Sequence, residues 1–292
     1  MIERYYQKEP YLPLQPTLRK KLQAIMDSKE AQEVRRAAME EAIHAFPLLA
    51  FNLLKLVNSS VFNLKTKVTV LKQAASLPTF DLFKDMIQRT PEYPPDLEPV
   101  MTLNRFEEHS RATALTVQLL ATLGRRFSTT DRERLFTAAL LHDIGRIFLV
   151  MSDPDGYRNI QKDAGGSGSV VESERKYFGT DHATLSALAV EQIGIADPLV
   201  LDAIRRHHEI PTGASILVAY ADRLVKRFGI GPSEGGAMSE SAAHDEARLK
   251  VALEETVQMT VGEIMMHVLS EVDTLMSSGL AQFKSLTASM SI

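Results

Sequence analysis

Residues 138–150 read AALLHDIGRIFLV. The stretch is apolar on both sides, as a buried helix would be, yet His142 and Asp143 stand side by side at its middle. A carboxylate taken out of water is costly unless a partner compensates its charge. What this pair faces decides the reading of the whole chain.

The 292 residues are 45% hydrophobic and 24% charged, an ordinary globular balance that leaves room for a large core and for two packed units. Leu and Ala are abundant and β-branched runs are few, so an all-α fold is expected. The net charge of −4 offers no basic excess for duplex nucleic acid. Arg125-Arg126 and Arg205-Arg206 read as solvated helix ends rather than phosphate tracks. With no Cys, disulfides, thiolate zinc sites and iron–sulfur clusters are excluded, so any metal must be held by His, carboxylate or backbone oxygen. The first residues, MIERYYQKEPYLPL, contain no apolar signal core. No uncharged apolar run approaches the roughly 20 residues that span a bilayer. A cytoplasmic protein without a membrane partner is expected.

Around the opening stretch the chain divides into three segments. Residues 1–95 form an N-terminal helical part, in which 1–16 read as an extended lead-in and about 17–77 as helix. Its strongest section is PLLAFNLLKLVNSSVF (47–62), where Leu49, Asn52, Leu53, Leu56 and Val57 recur at helical spacing until Asn58-Ser59-Ser60 breaks it. PEYPPDLE (91–98) carries three prolines and marks the boundary. Residues 96–229 form a second helical domain. One helix covers 102–126 and ends near Gly124. Thr130-Asp131-Arg132-Glu133 has a capping-box pattern, so the next is expected from about 131 straight through the opening stretch. A loop is expected over 164–169, then a helix capped by Thr180 and ending near Gly194. Asp197-Pro198 begins another, and a last one runs from about Ala214 to Phe228, closed by Gly229. Residues 230–292 read as a glycine-rich loop followed by a C-terminal helical extension.

Five of the eight histidines lie near helix ends or on apolar helix faces of the second domain. His109 shares its side with Phe106, Ala112 and Leu120, and His142 with Leu135, Ala138 and Leu149. His182 lies in the first turn of its helix, while His207 and His208 close another. Asp222 stands between Val218 and Val225 on an inward stripe. Each alone reads as a hydrogen-bonded core residue, a surface pair at a helix end, or a partner for Arg. Together they run H, HD, H, HH, D with helices between, and helices presenting inward His and Asp to one point is how bundles build metal sites. Five imidazoles and two carboxylates suffice for two ions if one Asp bridges. Paired ions about 3.5–4 Å apart clamp the oxygens of a phosphoester and activate water.

The ordered motifs HSRATALTVQLLA, LLHDIGRIFL, FGTDHATLSALAVEQIG and DAIRRHHE resemble the HD superfamily of metal-dependent phosphohydrolases. With PLLAFNLLKLVNSSVFNLKTKVTVLKQAASL (47–77), the chain more narrowly resembles HDOD-domain proteins, bacterial signalling modules, over roughly residues 15–228. It is also similar to the related HD-GYP phosphodiesterases. That resemblance implies one ion on His109, His142, Asp143 and Asp222, and a second on His182, His207 and His208 with Asp143 as bridge. It implies two divalent transition ions, iron foremost, with zinc, nickel or manganese as alternatives. Two features depart from the HD-GYP pattern: HHEIPTGAS lacks the Gly-Tyr-Pro signature, and Arg146 replaces a phosphate-binding Lys. Arg105 stands where a Glu would bring a third ion, so two at most are expected.

The resemblance implies two functions. One is a metal-dependent phosphohydrolase acting on a phosphorylated small molecule or nucleotide, with Asp143 and Arg146 as its catalytic residues. The other is a non-catalytic regulatory module, or a metal or redox sensor, whose N-terminal helices engage a signalling protein.

Overall fold

A computed structural model describes residues 2–6, 9–164, 169–231 and 240–268. Among these residues the chain is helical, and the only β feature is an isolated bridge between Leu14 and Glu92. The N-terminal part comprises α1 (Ile2–Tyr6), α2 (Pro16–Asp27), α3 (Gln32–Ala45), α4 (Pro47–Val57), α5 (Leu71–Ser76) and α6 (Phe80–Arg89). After the proline-rich connector come α7 (Leu103–Leu123), α8 (Thr129–Leu141), α9 (Gly145–Ser152), α10 (Pro154–Ala164) and α11 (Val170–Phe178). Then follow α12 (His182–Gln192), α13 (Pro198–Arg205), α14 (Ile216–Arg227) and α15 (Glu240–Val257).

Helix α4 is the apolar pivot of the N-terminal part. Pro47 opens it, and ten of its eleven residues, from Pro47 to Val57 with only Lys55 excepted, are buried. Helices rarely bury every face unless neighbours surround them; here α3, α5, α6, α7 and α8 all pack against it. The break after α4 is built by Asn58, whose side chain donates to the Val68 carbonyl (2.8 Å) and accepts the Val68 N–H (2.7 Å). One apolar core runs from Ile2 to Val268 through both halves.

The lead-in differs from expectation. Ile2–Tyr6 is helical, and Tyr11, Leu12 and Leu14 are buried. Asn52 accounts for this: its amide accepts from Leu12 N–H and donates to Leu12 C=O, both at 2.8 Å. Leu14 then exchanges backbone hydrogen bonds with Pro91 and Tyr93 on the connector. An extended segment thus satisfies its backbone inside the protein rather than in water.

The opening stretch is not one helix. It ends as α8 at Leu141, turns through His142, Asp143 and Ile144, and resumes as α9 at Gly145. The turn is closed by short-range bonds, Ile144 N–H to Leu141 C=O and Arg146 N–H to Asp143 C=O. Ser128, not Thr130, caps α8 by accepting from Asp131 N–H, and Asp181, not Thr180, caps α12 by accepting from Thr184 N–H. Residues 129–152 are long and apolar enough to cross a membrane by composition, but 89% of that window is buried inside the protein. Most of the expected 164–169 and glycine-rich 229–243 loops lies outside the described residues. So does the C-terminal extension beyond Val268.

Candidate metal centre

The turn at residues 142–144 delivers His142 and Asp143 to a point where α7, α12, α13 and α14 converge. Helix α9 must approach α12 closely for this. Gly145 permits it, since a Cβ there would lie 2.1 Å from the His182 carbonyl oxygen. Ser186 locks the contact by accepting from Gly145 N–H and donating to His182 C=O, both at 2.8 Å.

All seven residues expected as metal ligands come together. They form two groups whose donor atoms lie within 4.8 Å of one another: His109, His142 and Asp222, and Asp143, His182, His207 and His208. His109, His142, His182 and His207 are fully buried, Asp143 and Asp222 nearly so, and His208 is partly exposed. Asp143 lies between the groups. Its Oδ1 is 3.2 Å from His182 Nε2, 3.5 Å from His207 Nε2 and 3.6 Å from His142 Nε2.

The proton inventory shows what these atoms want. His109 Nδ1 faces the Ile230 carbonyl (3.1 Å), His142 Nδ1 that of Ala139 (2.7 Å), and His207 Nδ1 that of Ile204 (2.7 Å). A carbonyl only accepts, so each Nδ1 carries a hydrogen and each Nε2 is turned toward the centre. These Nε2 atoms crowd together with a carboxylate: His109 Nε2 is 3.3 Å from His142 Nε2 and 2.9 Å from Asp222 Oδ1. Asp143 Oδ1, Asp222 Oδ1 and His207 Nε2 are buried and make no hydrogen bond. Orphaned buried acceptors converging on one space fit a cation, and the Nδ1 bonds are the kind that orient metal-ligating imidazoles. The donors are imidazole and carboxylate, which suit a first-row divalent ion.

The neighbours set the charge states. Burial would raise Asp143, but Arg146, His142 and His182 outweigh it and hold its carboxyl well below the usual range. Burial would raise Asp222 as well, and Lys226, 3.1 Å away, with His109 and His142 holds it well below. Desolvation pushes His207 down to about 4. Burial and Arg146 would lower His182, yet Glu174 and Asp143 carry it up to about 9.

Two participants have no counterpart in the sequence expectations. Glu174 on α11 is fully buried, and its Oε2 accepts both the Nδ1–H (2.6 Å) and the backbone N–H (2.9 Å) of His182. Tyr157 on α10 accepts from Arg146 at 3.1 Å. Arg146 is itself buried, and its Nε donates to Asp143 Oδ2 at 2.9 Å.

A bundle with this helix order and a convergent His/Asp cluster defines an HD-type helical protein. The HDOD domain model matches residues 12–210, and the chain belongs to the HDOD family. The match stops short of Asp222, which α14 supplies. No curated protein matches the sequence. Among solved structures, the MmoQ response regulator from Methylococcus capsulatus str. Bath aligns with a TM-score of 0.65 at 17% identity, over 88% of this chain and 98% of that one. A virulence factor of Campylobacter jejuni subsp. jejuni aligns with a TM-score of 0.64 at 17% identity, over 92% and 93%. At such identity these likenesses establish the fold alone.

Proposed function

We propose that this protein is a cytoplasmic HDOD signalling module whose buried His/Asp centre holds a divalent transition ion and passes its occupancy to the helices packed around it. One observation carries the reading: two imidazole nitrogens and a carboxylate oxygen converge at 2.9–3.4 Å in the His109, His142 and Asp222 group, with both Nδ1 atoms turned away to backbone carbonyls. Iron is the first expectation, with zinc, nickel or manganese as alternatives. The centre is closed, since only His208 among the seven ligand candidates is more than marginally exposed. Such burial narrows the access of any substrate to the centre, which favours a structural or regulatory ion.

The route to a partner is the packing of α3 and α4 against α7 and α8, the helices that bear His109 and lead to His142. A cleft of about 660 Å³ opens along that seam, lined by Glu40, His44, Arg111, Arg132, Glu133 and Phe136 among others. A signalling protein or a small ligand seated there would sense any shift of α7.

Partial exposure of His208 favours a second reading, a phosphohydrolase acting on a phosphorylated small molecule or nucleotide. A bound ion would polarise the phosphoryl oxygen and activate water there. Asp143 and Arg146 would orient the substrate only if the Arg146–Asp143 pair opened. The deciding experiment loads the full chain with Fe(II), Mn(II) or Zn(II), follows thermal unfolding with and without chelator, and assays bis(p-nitrophenyl) phosphate and cyclic dinucleotides. A melting temperature that falls on chelation and returns with metal, with no hydrolysis, is expected. Metal-dependent hydrolysis abolished by Asp143→Ala would establish the second reading. Absence of any metal effect would end both.

A further inference from the structure

Away from the His/Asp centre, a cavity of about 720 Å³ opens where the end of α4 meets the end of α12. Its polar lining comes from Glu3, Lys55, Asn58, Ser59, Lys67 and Gln192. Lys55 is the one residue of α4 that is not buried. Its Nζ donates to the Pro10 carbonyl at 2.6 Å, one helical turn beyond the Asn52 amide that holds Leu12. Lys67 reaches the same cavity from the loop after α4. Its stem lies across Gly194, where a β-carbon would come within 3.2–3.4 Å of three Lys67 carbons, and its Nζ donates to the Asn58 carbonyl.

A partly buried ammonium gives up hydration that one carbonyl does not replace, and burial pushes the Lys55 amine down to about 8. Glu3 and Lys67 are the charged groups that share the cavity with it. At pH 8 about half of such an amine is unprotonated, against roughly 0.4% of an ordinary lysine. Nucleophilicity falls with basicity by about half a decade per unit, so the net gain over an exposed lysine is on the order of tenfold. Each ammonium spends one N–H on a carbonyl and has others to offer a ligand. The cavity thus sets a nucleophilic amine beside a fixed cation, the pairing that suits an electrophile carrying an anionic leaving group.

We propose that Lys55 is a modification site for small acyl phosphates, whose phosphoryl group lies on Lys67 while Lys55 Nζ attacks the acyl carbon. A C–N bond forms and the bond from the acyl carbon to the phosphate oxygen breaks. Inorganic phosphate leaves with the electron pair, and the proton lost by the nitrogen goes to water. Nothing is oxidised or reduced, and no group of the His/Asp centre takes part. The product is an amide, which erases the positive charge where α4 holds the N-terminal lead-in.

The test treats the full-length chain briefly with acetyl phosphate and follows acetylation of every lysine by peptide mass spectrometry. At about pH 8, Lys55 is expected to react about tenfold faster than the exposed Lys20, Lys29 and Lys72. Its rate should rise with pH through a midpoint near 8. In urea, where the cavity is gone, the preference should vanish. Lys67→Met alters an exposed side chain and removes the second cation. There the Lys55 rate toward acetyl phosphate is expected to fall about fivefold, the worth of one charge contact near water. The rate toward the uncharged N-hydroxysuccinimide ester of acetic acid should stay unchanged. A Lys55 rate no higher than that of the exposed lysines would overturn the proposal, and so would a preference that survives in urea. A Lys67→Met chain that keeps its full rate toward acetyl phosphate, or slows equally toward both reagents, would overturn it as well.

Discussion

Gly145 lies against the first turn of α12 so closely that a β-carbon would come within 2.1 Å of the His182 carbonyl oxygen and 2.8 Å of the Ser186 nitrogen. Both obstacles are backbone, so neither can rotate away. The contact sets the distance between Asp143, two residues before the glycine, and His182. Gly145→Ala is therefore expected to destabilise the protein by about 3 kcal/mol, the upper end of overpacking costs. It should also deplete bound metal, because α9 and α12 must separate. Urea unfolding with metal analysis checks this; a variant as stable and as metal-rich as wild type would mean that the helices do not sit this close.

Glu174 holds His182 by two bonds to one oxygen, so its removal should affect that imidazole specifically. In Glu174→Gln the charge that does most to raise His182 disappears. The imidazole is expected to titrate below its present value of about 9, and stability to fall by about 1–3 kcal/mol. NMR titration of the imidazole in chelator reads the first effect and urea unfolding the second. A drop in stability with no movement of the His182 titration would make Glu174 a packing residue only.

The metal-ligand candidates were legible in the sequence because titratable residues on apolar helix faces are conspicuous. His109, His142, Asp143 and Asp222 each interrupt a hydrophobic stripe, and the structure brings them together. Glu174 gave no such signal. It lies in VVESERKYF among other charged residues, where inward and outward carboxylates look alike. The Ile230 carbonyl that orients His109 is backbone and invisible to composition. The helix break at residues 142–144 is hidden for a related reason: hydropathy continues unbroken across it, while Gly145 packs against α12, a long-range contact. The burial of Tyr11, Leu12 and Leu14 is hidden in the sequence by the prolines and polar residues around them, and Asn52, forty residues on, pins the backbone of Leu12.

That pinning makes a third prediction. Asn52 is fully buried and carries both polar groups of Leu12. Asn52→Leu keeps the volume and leaves a buried N–H and a buried C=O without partners. Each unsatisfied group costs about 1–3 kcal/mol, so a loss of about 2–5 kcal/mol is expected. Metal content per folded chain should stay unchanged, since the segment touches none of the ligands. Limited proteolysis should then cut between about residues 8 and 16 before any other site. Uncut, fully stable protein would show that the lead-in is held by other contacts.

His182 and His207 are moved in opposite directions, which predicts a peaked dependence of stability on pH when chelator keeps the ion away. An unfolded histidine titrates near 6.5. Burial and Arg146 lower His182, but Glu174 and Asp143 prevail and raise it to about 9 in the folded chain. Its contribution is therefore complete below about pH 6.5 and fades as pH rises toward 9, because the folded state binds the extra proton. Burial holds His207 down at about 4, so there the unfolded state binds the proton first. Stability is lost from that residue as pH falls from about 6.5 to 4. Asp143 and Asp222, held well below the ordinary carboxylate range, steepen the loss at still lower pH. Unfolding free energies from urea titrations between pH 4 and 9 are expected to peak near 6.5 and to fall by roughly 3 kcal/mol on each arm. In His182→Asn the alkaline arm should flatten while the acid arm remains. A flat alkaline arm in wild type would mean that His182 is neutral without the ion, and that the Glu174–His182 pair is not an ion pair.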